Sequence, residues 1–184
     1  TWDGNYVRDG VFAYHGNWTT NSLVISNCVI TGCFANYGGG AFGCTLVNCT
    51  FANNWRKDAT GGGVINSTSA AVRLYGCAFT NNFCASLGGC IFGNLASASN
   101  CTFVGNENNV IGKSKVISAG VWNCLFVYNT GDAMSTLANS DKPGYCVYEG
   151  GINGSTDHNV EANVTLNPEV ASTATGDYRL VPNA

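Results

Sequence analysis

A chain of 184 residues is long enough for one domain with a substantial core. Only 10% of the residues are charged while 45% are apolar, which excludes a disordered chain. The formal net charge of −3, with basic residues scattered singly apart from Arg56-Lys57, excludes a nucleic-acid footprint.

No apolar run approaches the roughly 20 residues that span a bilayer, so no membrane-spanning segment is expected. Nor does any window sustain a 3.6-residue apolar period. Gly is common (24) and Pro scarce (3), and Asn, Ser and Thr carry most of the polarity. An all-β chain rich in turns is the class that fits.

In chain order, residues 1–22 form a turn-rich opening segment with Trp2, Tyr6, Phe12, Tyr14 and Trp18 and no amphipathic helix. They read as a first coil or a cap. A repeated phrase occupies residues 23–130. LVNCTFANN at 46–54 returns as RLYGCAFTNN at 73–82, and alignment on it gives five copies anchored on Cys28, Cys49, Cys77, Cys101 and Cys124. The intervals are 21, 28, 24 and 23 residues.

Three positions before each anchor stand Ile25, Leu46, Leu74, Ala98 and Val121; two positions after it stand Ile30, Phe51, Phe79, Phe103 and Phe126. Five positions after it come Cys33, Asn54, Asn82, Asn106 and Asn129. Between copies a second phrase recurs as GGGAF at 38–42, GGGVI at 61–65 and GGCIF at 88–92, and fades to NNVIGKS.

A period near 24 residues marks a repeat architecture, and Leu-rich spacing and two-helix repeats are both absent. Cys and Phe two residues apart obey the period of a strand. One short strand per copy with Gly and Asn at the corners describes a right-handed parallel β-helix of about five recognisable coils. Equivalent residues then lie roughly 4.8 Å apart along the axis. Cys28, Cys49, Cys77, Cys101 and Cys124 become one inward column, and Phe51, Phe79, Phe103 and Phe126 another.

Asn54, Asn82, Asn106 and Asn129 become a corner ladder of stacked amides ended by Cys33. Asn is expected there because it tolerates a left-handed corner and can bond its own stacked copies. Residues 131–184 complete the same domain as C-terminal coils and a terminal strand.

The Gly-Gly-small-aliphatic and Phe-x-x-Asn phrases together resemble the repeats of polymorphic outer-membrane proteins and related bacterial surface proteins of the pectate-lyase-like superfold. The resemblance covers roughly residues 23–130. Asn167-Pro168 followed by Gly176-Asp177-Tyr178-Arg179-Leu180 resembles the closing coil of secreted β-helix proteins. What the resemblance implies is a secreted or cell-surface protein serving adhesion, envelope structure or carbohydrate contact. It does not imply one activity.

Catalysis needs a carboxylate pair or a base beside an electropositive partner. Within 23–130 the acids are Asp58 and Glu107, against Arg56, Lys57, Arg73, Lys113 and Lys115. Arg56-Lys57-Asp58 reads as a solvated loop tip, and no catalytic residue is assigned. His15 and His158 stand alone. Cys-x-x-Cys is absent, so neither a metal nor another cofactor is expected.

Ten cysteines point to an oxidising compartment, with the anchors as ladder thiols and any disulfides among Cys33, Cys44, Cys84, Cys90 and Cys146. Six Asn-x-Ser/Thr triplets are expected by chance in so Asn-rich a chain, at Asn17, Asn48, Asn66, Asn100, Asn153 and Asn163. Trp18, Trp55 and Tyr75 fall off the inward positions and are candidate glycan contacts.

The expected function is a non-catalytic structural or adhesive β-helix that self-associates through its end coils. The alternative is a carbohydrate-binding or carbohydrate-cleaving one.

Overall fold

A computed structural model of the chain describes residues 2–3, 7–9, 13–14, 23–37, 41–42, 44–56, 64–84, 90–107, 111–112, 120–130, 144, 146–148, 170–172 and 177–180. The described residues hold strands and corners and no helix.

The corners explain the Gly and Asn content. Each copy turns twice through left-handed backbone. The first turn is made by the residue before the anchor (Asn27, Asn48, Gly76, Asn100 and Asn123) at φ between 52° and 62°. The second is made four residues after it, by Gly32, Asn53, Asn81, Gly105 and Tyr128, at φ between 50° and 66°. Gly and Asn are the residues that enter this region most cheaply. The ladder asparagines expected to hold the left-handed conformation stand one residue beyond it. The neighbour makes the turn, which leaves the ladder side chain aimed inward.

Between the two corners runs a three-residue strand, and these strands build a seven-stranded parallel sheet. Its order is Trp2–Asp3, Val29–Thr31, Thr50–Ala52, Ala78–Thr80, Thr102–Val104, Leu125–Val127 and Val147–Tyr148. Ile30, Phe51, Phe79, Phe103 and Phe126 lie in direct register.

A second parallel sheet joins the strands of the Gly-Gly phrases, Ala41–Phe42, Ile65–Tyr75, Ile91–Ser99 and Ile111–Gly112. It also takes in the strands ahead of each anchor, which align Ile25, Leu46, Leu74, Ala98 and Val121. Register shifts between Ser67 and Arg73 absorb extra residues of the third copy as a bulge without breaking the stack. Beyond the amide ladder, Trp55–Arg56 pairs in parallel with Phe83–Cys84, and Val7–Asp9 with Ala35–Tyr37.

Inside, the rings of Phe51, Phe79, Phe103 and Phe126 are fully buried and stack face to face. Their centroids are 5.0, 4.9 and 4.7 Å apart and their planes within 9° of one another. The spacing is that of the strands themselves.

The two interior ladder asparagines, Asn82 and Asn106, are saturated. Asn82 Nδ2 donates to Phe51 O (3.0 Å) and to Asn106 Oδ1 (2.9 Å), and Asn82 Oδ1 accepts from Asn54 N and Asn54 Nδ2 (both 3.0 Å). Asn106 repeats the pattern with Phe79 O, Asn129 Oδ1 and the Asn82 amides. At the upper end Cys33 contributes its backbone N–H to Asn54 Oδ1 at 3.0 Å. Asn54, Asn82 and Asn106 are buried, whereas Asn129 is half-buried.

Strand pairings at both ends extend the repeat past the five copies, and two features depart from the sequence reading. Leu125↔Val147 and Phe126↔Tyr148 carry the sheet past residue 130, and Cys146 stands 22 residues after Cys124 as a sixth anchor. At the other end Trp2↔Ile30, Val7↔Ala35 and Ala13↔Ala41 share one offset. Cys28, expected fully buried, is partly exposed on the first rung of its column. Asp177–Leu180, expected in a closing coil, forms an antiparallel pair with Val170–Ser172. Most of residues 1–22 and 131–184, on which end-to-end association turns, lie outside the described residues.

Two outcomes follow for urea denaturation. Asn82→Leu strips partners from buried amides on both neighbouring rungs, at about 1–3 kcal/mol for each unsatisfied group. Asn129→Leu, on a half-buried rung, is expected to lower the midpoint much less. Tyr128 holds a left-handed corner that Asn fills at positions 53 and 81. Tyr128→Asn is expected to raise stability by about 1 kcal/mol.

Candidate functional site

The anchor column is the first place to look for chemistry, because it lines up six thiols. Each described Sγ donates to the carbonyl two residues back, across the left-handed corner: Cys28 to Ser26 (3.2 Å), Cys49 to Val47 (3.4 Å), Cys77 to Tyr75 (3.5 Å), Cys101 to Ser99 (3.3 Å), Cys124 to Trp122 (3.2 Å) and Cys146 to Gly144 (3.4 Å). Cys is small and apolar enough to bury, yet keeps a weak donor for the corner carbonyl.

Cys28, Cys33, Cys44, Cys49, Cys77, Cys90, Cys101, Cys124 and Cys146 all carry thiols rather than disulfides. The described cysteines therefore serve packing. Cys84's side chain lies outside the described residues. No cluster of His, Cys, Asp or Glu able to hold a metal occurs among the described residues.

Burial, and then the neighbouring Cys49, push the Cys44 thiol up from 9.0 to about 12. Hydrogen bonding to Cys101 and then burial raise Cys77. Contacts with Cys101 and Cys146, then burial, raise Cys124. Hydrogen bonds from the neighbouring thiols lower Cys101 and Cys146. Cys44, Cys77 and Cys124, buried and held protonated, are packing groups and not nucleophiles.

A different arrangement lies outside the amide ladder. The residue after each ladder position points outward: Phe34, Trp55, Phe83, Glu107 and Thr130. Its backbone is fixed by the rung behind it. Trp55 N–H donates to Cys33 O (2.8 Å), Phe83 N–H to Asn54 O (2.9 Å), Glu107 N–H to Asn82 O (2.9 Å) and Thr130 N–H to Asn106 O (3.0 Å).

Three aromatic rings thus stand in line. Phe34 and Trp55 have centroids 4.9 Å apart at 55°, and Trp55 and Phe83 5.9 Å apart at 61°. Trp55 remains 49% exposed between its two neighbours. Glu107, next in the line, is exposed and is the carboxylate among the side chains the structure describes.

Of the candidate glycan contacts, Trp55 stands in this line. Tyr75 is exposed on another face, where its hydroxyl accepts from Ser97 Oγ at 3.5 Å. Trp18, His15, His158, Lys57 and Asp58 lie outside the described residues. Arg56 departs from the solvated loop tip: strand alternation from Asn54 through Trp55 turns it inward, and it is fully buried.

Sequence reasoning missed Phe34 and Phe83. The available signal was their common place, one residue beyond the ladder.

The Asn-Cys-Thr triplets at 48 and 100 also find a reason. Asn makes the left-handed corner, Cys enters its column and Thr50 or Thr102 starts the strand.

No known family model and no solved structure matches this chain. An alignment 130 residues long, which covers 65% of the chain, is 32% identical to metabotropic glutamate receptor-like protein R of Dictyostelium discoideum. The chain spans only 8% of that relative's length.

The Cys44 thiol gives a pH dependence with a definite sign. An unfolded thiol ionises near 9.0, whereas the folded one stays protonated to about 12. Its stabilisation is therefore complete below the unfolded value and lost as the pH climbs through that window. Urea midpoints measured between about pH 8 and pH 11 are expected to fall, and to fall less steeply in Cys44→Ala.

Proposed function

We propose that this chain is a right-handed parallel β-helix module of a secreted or cell-surface protein, and that it serves a structural or adhesive role without catalysis. In-register parallel pairing through two sheets supports the helical stack, and the Gly-Gly and Phe-x-x-Asn phrases support kinship with polymorphic outer-membrane-type repeats.

The observation that carries the non-catalytic reading is how the reactive groups are used. The described thiols sit in packing columns, and the ladder amides spend their hydrogen bonds on one another. The described side chains offer Glu107 without a second carboxylate within one coil. Hydrolysis or elimination on a sugar calls for such a pair, or for a base with a cation beside it.

The test is a turnover screen of the purified chain on neutral and acidic polysaccharides, read by release of new chain ends. No release is expected. Turnover that persists through purification and disappears in Glu107→Gln or Asp58→Ala would overturn the reading. A crystal structure with left-handed coils would overturn the architecture.

A further inference from the structure

The outward line beyond the amide ladder has a composition that internal packing does not require. Inward positions at this corner are Asn in every copy after Cys33, yet the outward ones run aromatic, aromatic, aromatic, carboxylate, hydroxyl. We propose that Phe34, Trp55, Phe83 and Glu107 form a contact line for an extended, uncharged polysaccharide lying along the stack of coils. The inference rests on reading the chain as a non-catalytic surface module.

Three observations carry it. The first is pitch. Successive positions in the line advance by one strand spacing, roughly 4.8 Å, which is about the length of one pyranose unit in an extended chain. A glycan laid along the line thus meets about one side chain per sugar.

The second is the order of chemistry. Pyranose rings present apolar C–H faces and equatorial hydroxyls. Trp55, half-exposed between Phe34 and Phe83, offers apolar aromatic surface to the former. Glu107, exposed one rung further on, accepts hydrogen bonds from the latter.

The third is charge. The described line bears a carboxylate and no cation. Arg56, adjacent to Trp55 in sequence, is turned inside and buried. A polyanionic glycan would meet repulsion here and a neutral one would not.

The line is also rigid. Trp55, Phe83, Glu107 and Thr130 are each tied through the backbone to the ladder residue of the preceding coil. Little ordering is left to be done on binding, which favours a weakly interacting ligand such as a sugar chain.

The experiment is affinity electrophoresis of the full chain in gels cast with a neutral β-glucan, with a galactomannan, or with polygalacturonate. Retardation is expected in at least one neutral gel and not in the acidic one. Trp55→Ala is expected to weaken it by about thirtyfold, as for an aromatic hot spot. Glu107→Gln should weaken it by about tenfold through loss of a charged acceptor.

Tyr75→Ala, on another face, should leave migration unchanged. An unchanged urea midpoint in Trp55→Ala separates lost binding from lost folding. The proposal is overturned by free migration in both neutral gels, by Trp55→Ala binding as tightly as the parent, or by preference for polygalacturonate. New chain ends appearing in a gel that retards the protein would instead fault the non-catalytic reading and leave the contact line standing.

Discussion

Between Cys33 and Asn129 a column of side-chain amides runs through the interior of one corner, and the other columns depend on its register. Each interior Asn uses both donors and both acceptor positions on neighbouring coils. The net gain from any one such bond is about 1 kcal/mol, but a buried amide without its partner is penalised by more than that. The column therefore acts less as glue than as a gauge. A coil displaced by one residue would bury the outward-facing Trp55 or Phe83 and strand the amide behind it. With the gauge set, the Phe rings have no choice but to stack at the strand spacing, and the thiols fall into line behind the corner carbonyls.

The corners show how a short phrase can carry so much structure. Within Asn48-Cys49-Thr50-Phe51-Ala52-Asn53-Asn54 nearly every residue has a separate task. Asn48 and Asn53 turn the chain, Cys49 caps a carbonyl, Phe51 fills the centre and Asn54 sets the gauge. Where Gly76 and Gly105 replace Asn at the turn, the side chain of the preceding coil's Asn48 or Asn81 lies where a Cβ would be. Neighbouring coils thus share the space at a corner, one giving up a side chain where the other keeps it. Tyr128 is the exception, a bulky residue in a backbone conformation that favours Gly or Asn.

The inward columns were legible in the sequence because stacking places chemically alike groups at a constant offset. Cys49, Cys77 and Cys101, or Asn54, Asn82 and Asn106, announce themselves by repetition. The sixth rung escaped because only Cys146 and Tyr148 preserve the pattern there; Pro143 and Gly151 occupy the aliphatic and ladder positions. The second left-handed corner was hidden by its neighbour, since in Asn53-Asn54 and Asn81-Asn82 one residue type does two jobs. Arg56 misled through its chemistry: charge argues for solvent, whereas alternation from Asn54 argues for the interior, and alternation prevailed. The outward line was the hardest to see. Its members differ from copy to copy, so an alignment built on sameness passes over the position where the residues that face outward are found.

The amide column also has a direction. Every ladder carbonyl oxygen faces the preceding coil, and the carboxamide nitrogens of Asn54, Asn82 and Asn106 each send one of their two N–H bonds onward to the next. Seen from a ribosome, which releases the earlier coil first, this polarity makes each finished coil a template. It displays N–H donors at its open edge, and the next coil to emerge brings the matching oxygen on its own Asn. Growth of the stack then resembles the elongation of a zipper with polar teeth. A coil arriving in reversed orientation would set donor against donor and be rejected at the first contact.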